Sequence, residues 1–135
     1  MAVELVVVTP EGEALSEQVE QVVLPGEAGE FGVLESHERF LTPLQLGPMQ
    51  IIRSGGSEWA AISSGFAEVD GGRVVVLVDS CALASEIDGA DAESRRAEAD
   101  SELSGLAESD ETAGERARLE AVVARAALEV DVAGR

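Results

Sequence analysis

Leu24-Pro25-Gly26-Glu27-Ala28-Gly29-Glu30-Phe31-Gly32-Val33-Leu34 decides how the first half of this chain folds. One proline and three glycines stand between two apolar segments, residues 19–24 and 31–34. Gly26, Gly29 and Gly32 let the backbone turn sharply or pass close to another surface. An elaborate loop mounted between strands is a frequent contact site. A plain long hairpin connection is the alternative.

Outward from this stretch, residues 1–80 read as short strands divided by turn signals. Val3–Thr9 is a first strand and Pro10-Glu11-Gly12-Glu13 its turn. Residues 14–24 alternate in part: Val19 and Val23 share one parity, Val22 and Leu24 the other. Strands are expected at 40–46 and 49–53, split by Gly47-Pro48, and at 58–63 after Ser54-Gly55-Gly56-Ser57. Residues 65–70 and 73–79 flank Gly71-Gly72, a dipeptide suited to a two-residue hairpin turn. Such spacing predicts an antiparallel all-β domain, a sandwich or barrel, rather than βαβ units. Trp59 and Phe66 are expected in its core.

Beyond residue 79 the composition changes. Residues 89–135 hold 12 alanines, no proline and no aromatic residue, which suits helices. Ala92, Ala99, Leu103 and Leu106 recur at helical spacing, as do Leu119, Val123, Ala126 and Val130. Asp110 or Thr112 is a candidate N-cap for the second helix. Neither stripe is wide enough to stand alone, so an αα-hairpin follows. Its alanine-rich seam buries little area, and its grip on any surface is expected to be weak. The organisation predicted is a β domain over 1–84, a linker at 85–88 and a helical hairpin over 89–135.

Composition narrows the function. The chain has 135 residues, 27 Asp and Glu, 9 Arg and no Lys, for a net charge of −18. That balance argues against direct contact with nucleic acid or anionic lipid, both of which need cations. Self-repulsion on this scale fits a salt-rich cytoplasm, with codon bias toward Arg, Ala and Gly as the alternative. No run approaches the ~20 apolar residues of a membrane span. Met1-Ala2-Val3-Glu4 lacks the basic start of a secretory leader. Cys81 is the only cysteine, expected to be buried and inert in a reducing compartment.

Catalytic patterns are missing from the sequence. Without lysine there is no phosphate-binding Gly-x-x-x-x-Gly-Lys loop. One histidine, His37, leaves little room for nucleophile–histidine schemes or for a metal site. The carboxylates sit in turns without an acid/base frame. We expect a chain that is not an enzyme by itself and carries no cofactor.

The ordered set Val22 to Leu34, then His37, Leu41-Thr42-Pro43-Leu44, Gly47-Pro48-Met49, Ser64-Gly65-Phe66-Ala67-Glu68-Val69 and Val74 to Ala82 resembles the epsilon subunits of F-type ATP synthases. The resemblance covers essentially the whole chain. It implies an α+β protein: an antiparallel β-sandwich of about ten strands followed by a two-helix hairpin. It implies a central-stalk rotor component of a proton-translocating ATP synthase, held peripherally on the cytoplasmic face of a bacterial plasma membrane only through the complex. The partners implied are the gamma subunit and the c-ring for the sandwich, and the catalytic alpha/beta head for the helices. The resemblance further implies helices that lie folded on the sandwich or extend along gamma into the head, where they block ATP hydrolysis. A two-state element of this kind suits a weak seam.

Carried over by residue, the resemblance places Glu30, Phe31 and Gly32 in the loop that faces the ring, with His37 nearby, although Ser36 stands where a glycine is usual. A structural role for His37 is the alternative. Arg118 and Arg125, seven apart, share a helical face and match basic residues that meet an acidic segment of the head. An ordinary solvated face beside Glu120 and Glu129 is equally open. Some members sense ATP through Ile/Leu-Asp-x-x-Arg-Ala, aided by arginines on the second helix. Here Ile87, Asp88 and Arg125 would serve, but Asp91 stands where the arginine would meet phosphate and Glu129 replaces another basic position. An ATP-sensing module is therefore the alternative function, and a free-standing β-sandwich binding domain with an unrelated tail is a third.

Overall fold

A computed structural model describes residues 2–34 and 37–135, and the side chains of all of these except His37 and Glu38. The chain divides into two compact units, one ending at Ala84 and one covering Ser85–Arg135.

The first unit contains ten strands. They are β1 (Val3–Thr9), β2 (Gly12–Val19), β3 (Gln21–Gly26), β4 (Gly29–Val33), β5 (His37–Leu44), β6 (Gly47–Arg53), β7 (Gly56–Ile62), β8 (Gly65–Gly71), β9 (Arg73–Val78) and β10 (Cys81–Leu83). Their order is β10-β7-β6-β3-β5-β8-β9-β1-β2, with β4 paired to β3 off that path. The sheet folds over itself into a nearly closed sandwich. β3 is its corner, pairing with β6 through residues 21–23 and with β5 only at Gly26 and Leu44.

Alternation along each strand builds the core. Val3, Leu5 and Val7 of β1 meet Val74 and Val76 of β9, Ala67 and Val69 of β8, and Leu24, Met49, Ile51 and Ile62 from the other half. All of these are 0–1% exposed. β-branched residues dominate because their stiff side chains pack well on a pleated surface. Not every pair is antiparallel: β1 lies parallel to β9, with Val6 beside Val75 and Val8 beside Leu77. This long-range contact brings the first strand against the last full one, and no local turn signal reports it.

The stretch 24–34 is a tight hairpin, not a long loop. Pro25 and Gly26 finish β3, Glu27-Ala28 is the turn, and Gly29 opens β4. Gly29 has φ +133°, a conformation that L side chains rarely adopt. A Cβ on Gly26 would stand 2.7 Å from the Gly29 carbonyl oxygen and 2.9 Å from the Phe31 ring. Pro25 is tolerated in the strand because the ladder to β6 has already ended at Val23, and its carbonyl accepts the Gln45 N–H at 2.9 Å.

Other strand expectations need correction. Residues 14–24 form two strands, broken at Glu20, which is where the buried parity changes from Val19 to Val22 and Leu24. Gly47-Pro48 belongs to β6 rather than to a divider. Cys81 is half-buried at the rim of the core rather than enclosed by it. Phe66 is 50% exposed and Trp59 only half-buried, because each has the outward parity of its strand while Ala67 and Ala60 point in.

A short 3-10 turn, Ala84–Glu86, opens the second unit from the last residue of the first and precedes α1 (Gly89–Ser104) and α2 (Ala113–Ala133). Asp88 caps α1, its carboxylate accepting the N–H groups of Ala90 and Asp91 at 3.1 Å each. Thr112 occupies the cap position of α2, but its hydroxyl donates backward to the carbonyls of Ala107 and Ser109. The helices run antiparallel, Gly89 lying against Ala133. Buried apolar residues are Ala92 and Ala99 on α1, and Leu119, Ala126 and Val132 on α2. Val123 and Val130 are half-buried flanks of that face, and Glu129 occupies its centre.

Candidate functional site

Outward-pointing residues of β5, β8, β9 and β1 form an apolar row across four strands. Pro43 stands beside Phe66, Phe66 beside Leu77, and Leu77 beside Val8. One step along the strands lie Leu41 and Val75, separated by Glu68. Leu41, Phe66 and Leu77 are 64%, 50% and 41% exposed. At one end a groove of about 390 Å³ opens between Val8, Pro10, Phe66, Leu77 and Asp79. The signal was present in the sequence, since the parity that buries Ala67 and Val69 must expose Phe66. Residue type alone points an aromatic side chain inward, and here strand parity overrides it. A contiguous exposed apolar face on a folded domain marks an interaction surface.

The β3–β4 hairpin presents a different chemistry. Glu30 is fully on the surface, on the outward parity of β4. Phe31 turns inward, its ring edge-on to Phe40 with centroids 6.0 Å apart. Gly32 faces the Gln21 side-chain amide, which a Cβ there would push aside. Of the expected ring-facing residues, Glu30 is therefore free to touch a partner, and Phe31 and Gly32 hold the hairpin that carries it. The His37 side chain lies outside the described residues; its backbone pairs with Gly71.

A part-buried ion cluster ties distant strands together. The Arg53 guanidinium of β6 donates to both carboxylate oxygens of Glu17 on β2, at 2.8 and 2.5 Å, and to Glu58 on β7 at 3.2 Å. This contact holds the Glu17 carboxyl below the usual carboxylate range and pushes Arg53 upward.

On the helices, the residues matched to nucleotide sensing are occupied otherwise. Asp88 is the cap of α1, and Ile87 precedes it half-buried. Arg125 stands ~12 Å along the axis from that end, counted from Ala133 at 1.5 Å per residue. Asp91 pairs with Arg95 at 3.0 Å. Arg95 also reaches across to both oxygens of Glu129, at 3.2 and 3.5 Å. These carboxylates, Glu129 foremost, raise the Arg95 pKa. Arg118 donates to Glu115 at 3.1 and 2.6 Å, and Arg125 lies 3.8 Å from Glu129. Both arginines are exposed on one face. All nine arginines of the chain sit in ion pairs, so a phosphate entering here would have to displace a carboxylate.

Among the described residues no helix is long and apolar enough to cross a membrane, and no group of three or more His, Cys, Asp and Glu could hold a metal ion.

Comparison with known proteins agrees with this architecture. The chain is similar in fold to a chain of the Euglena gracilis mitochondrial ATP synthase, with TM-score 0.67 and 23% identity, covering 98% of this chain and 78% of that one. It is likewise similar to a chain of the Tetrahymena thermophila mitochondrial ATP synthase central stalk and c-ring, with TM-score 0.63 and 15% identity, covering 98% and 97%. The ATP synthase epsilon chain of Anaeromyxobacter dehalogenans is 41% identical over 136 residues, 100% of both chains. That of Citrifermentans bemidjiense is 39% identical over 129 residues, 95% of this chain and 91% of the relative. The model of the ATP synthase delta/epsilon chain β-sandwich domain matches residues 2–84. With the sandwich matched throughout and full-length relatives at this identity, the chain belongs to the ATP synthase epsilon chain family.

Proposed function

We propose that this chain is the epsilon subunit of a proton-translocating F-type ATP synthase, a rotor component of the central stalk and not itself a catalyst. Catalysis belongs to the whole complex. Full-length similarity to epsilon chains supports the reading. The observation that carries it is the exposed row of Pro43, Phe66 and Leu77 with Leu41 beside it, an apolar face that the sandwich leaves outside its own core.

In this reading the gamma subunit covers that face, because burying large apolar side chains is the main source of stable association. Glu30, at the tip of β4, faces the polar loops of the c-ring. The helices act as the brake on hydrolysis. Arg118 exchanges its exposed partner Glu115, and Arg125 its long 3.8 Å contact with Glu129, for acids on the alpha/beta head. The protein is held at the cytoplasmic face of the bacterial plasma membrane through these contacts alone. Nucleotide sensing through Ile87, Asp88 and Arg125 gains no support from a geometry that uses Asp88 as a cap and sets Arg125 a helix turn or more away.

The test is Phe66→Glu, titrated against purified gamma. Residue 66 points outward, so the sandwich should melt within about 0.5 kcal/mol of wild type. Affinity for gamma should fall at least ~100-fold, the cost of burying an unpaired carboxylate at the centre of an interface. Unchanged affinity would show that gamma, if it binds, binds elsewhere.

A further inference from the structure

Glu129 is the one charged side chain that is buried among the described residues, and it lies on the buried face of α2 between Ala126 and Val132. Its side chain is 10% exposed, and its carboxylate accepts from the Arg95 guanidinium of α1, itself 43% exposed, through both oxygens. Asp91, one turn earlier on α1, holds the same guanidinium from its Nε at 3.0 Å and so fixes its direction. Arg125, on α2 itself, stands 3.8 Å from Glu129. Around this group the buried apolar side chains are small: Ala92 and Ala99 on α1, Ala126 and Val132 on α2, with Leu119 farther along the helix. A seam so poor in large side chains does not by itself prefer one alignment over another.

We propose that Arg95 and Glu129 form a register latch, which selects this one closed alignment of the hairpin while adding little to the net free energy of closure. The closed alignment is selected because a slip of one turn carries Glu129 ~5.4 Å from the guanidinium and leaves a carboxylate buried without a partner. Closure gains little because both charges are well solvated once the helices separate, so the attraction inside is offset by lost hydration. An apolar pair in the same place would favour the closed form without that offset. The latch thus keeps the hairpin orderly when shut and easy to open. Its use as the release for the brake rests on the function proposed above; its existence does not.

Two variants of the full-length chain test this by hydrogen exchange. In Glu129→Gln the guanidinium loses its counter-charge, and seam amides of α1 and α2 should lose protection on the order of 100-fold, with amides of β1, β8 and β9 unchanged. In R95M/E129L the seam becomes apolar, and protection should equal or exceed that of wild type. In assembled ATP synthase, Glu129→Gln should deepen the inhibition of ATP hydrolysis and R95M/E129L should relieve it. Protection unchanged in Glu129→Gln overturns the latch. A double variant as unprotected as Glu129→Gln overturns it too, since the charges would then be supplying net closure. If exchange responds as stated and hydrolysis does not, the latch stands and the brake role of the helices fails.

Discussion

The two units of this protein are held by different forces. The sandwich closes over large aliphatic residues such as Leu5, Leu24, Met49 and Ile62, each 0–1% exposed. The hairpin closes mostly over alanine, with one ion pair across it between buried Glu129 and half-exposed Arg95. Apolar burial is strong and indifferent to direction, whereas a paired charge in a thin seam is directional and weak in net free energy. The difference teaches what each unit can do. A thick core makes a permanent platform on which an exposed apolar face can be presented. A thin seam makes an element that can be rearranged without unfolding the platform.

The sharpest way to break this contrast is to hollow out the platform. Leu24→Ala removes a fully buried side chain at the β3 corner and should cost the sandwich about 2–5 kcal/mol in chemical denaturation. Exchange of the hairpin amides at low denaturant should not change. Coupled loss of both would mean that one cooperative unit had been mistaken for two.

Next in size is the ion cluster of the sandwich. Glu17 has its pKa lowered in the folded state by Arg53. Its contribution is therefore present above the unfolded carboxylate value, about 4.3, and is lost as pH falls through the lower folded value. Glu17→Gln should cost about 1–2 kcal/mol at pH 7, a charge-assisted bond discounted for partial exposure. The gap to wild type should close as pH falls below about 4.3 in melting experiments. A gap independent of pH would assign the loss to packing.

Smallest is the helical cap. Asp88→Ala should lower hairpin stability by about 1 kcal/mol, read as faster exchange in the first turn of α1, and leave the sandwich midpoint in place. If Asp88 instead served nucleotide, the same variant would change ATP affinity and leave exchange without ATP unaltered.

Much of the fold was legible in local pattern. Val3–Thr9 is a strand as read, Gly71-Gly72 is the turn between β8 and β9, and the alanine-rich tail is two helices. Legibility failed where the deciding contact is distant. Pro25, Gly26 and Gly29 look like loop by composition, yet they continue a ladder because their partners in the sheet permit it. The parallel pairing of β1 with β9 spans most of the unit, and nothing near either strand announces it. At the candidate surface, Phe66 was assigned inward by its chemistry although its neighbours' parity pointed it out. Glu129 looks like a solvated charge in the sequence because its burial depends on Arg95 across the seam, which no local pattern reveals.

The sandwich is firmly built, and the hairpin closes separately and weakly. Native-state hydrogen exchange across low denaturant concentrations tests it directly on the wild-type chain. The account predicts two classes of amide: those of α1 and α2 opening at a lower free energy and with a smaller denaturant slope, and those of β1, β8 and β9 opening only with global unfolding of the sandwich. A single class, with one free energy and one slope for helices and strands alike, would contradict it.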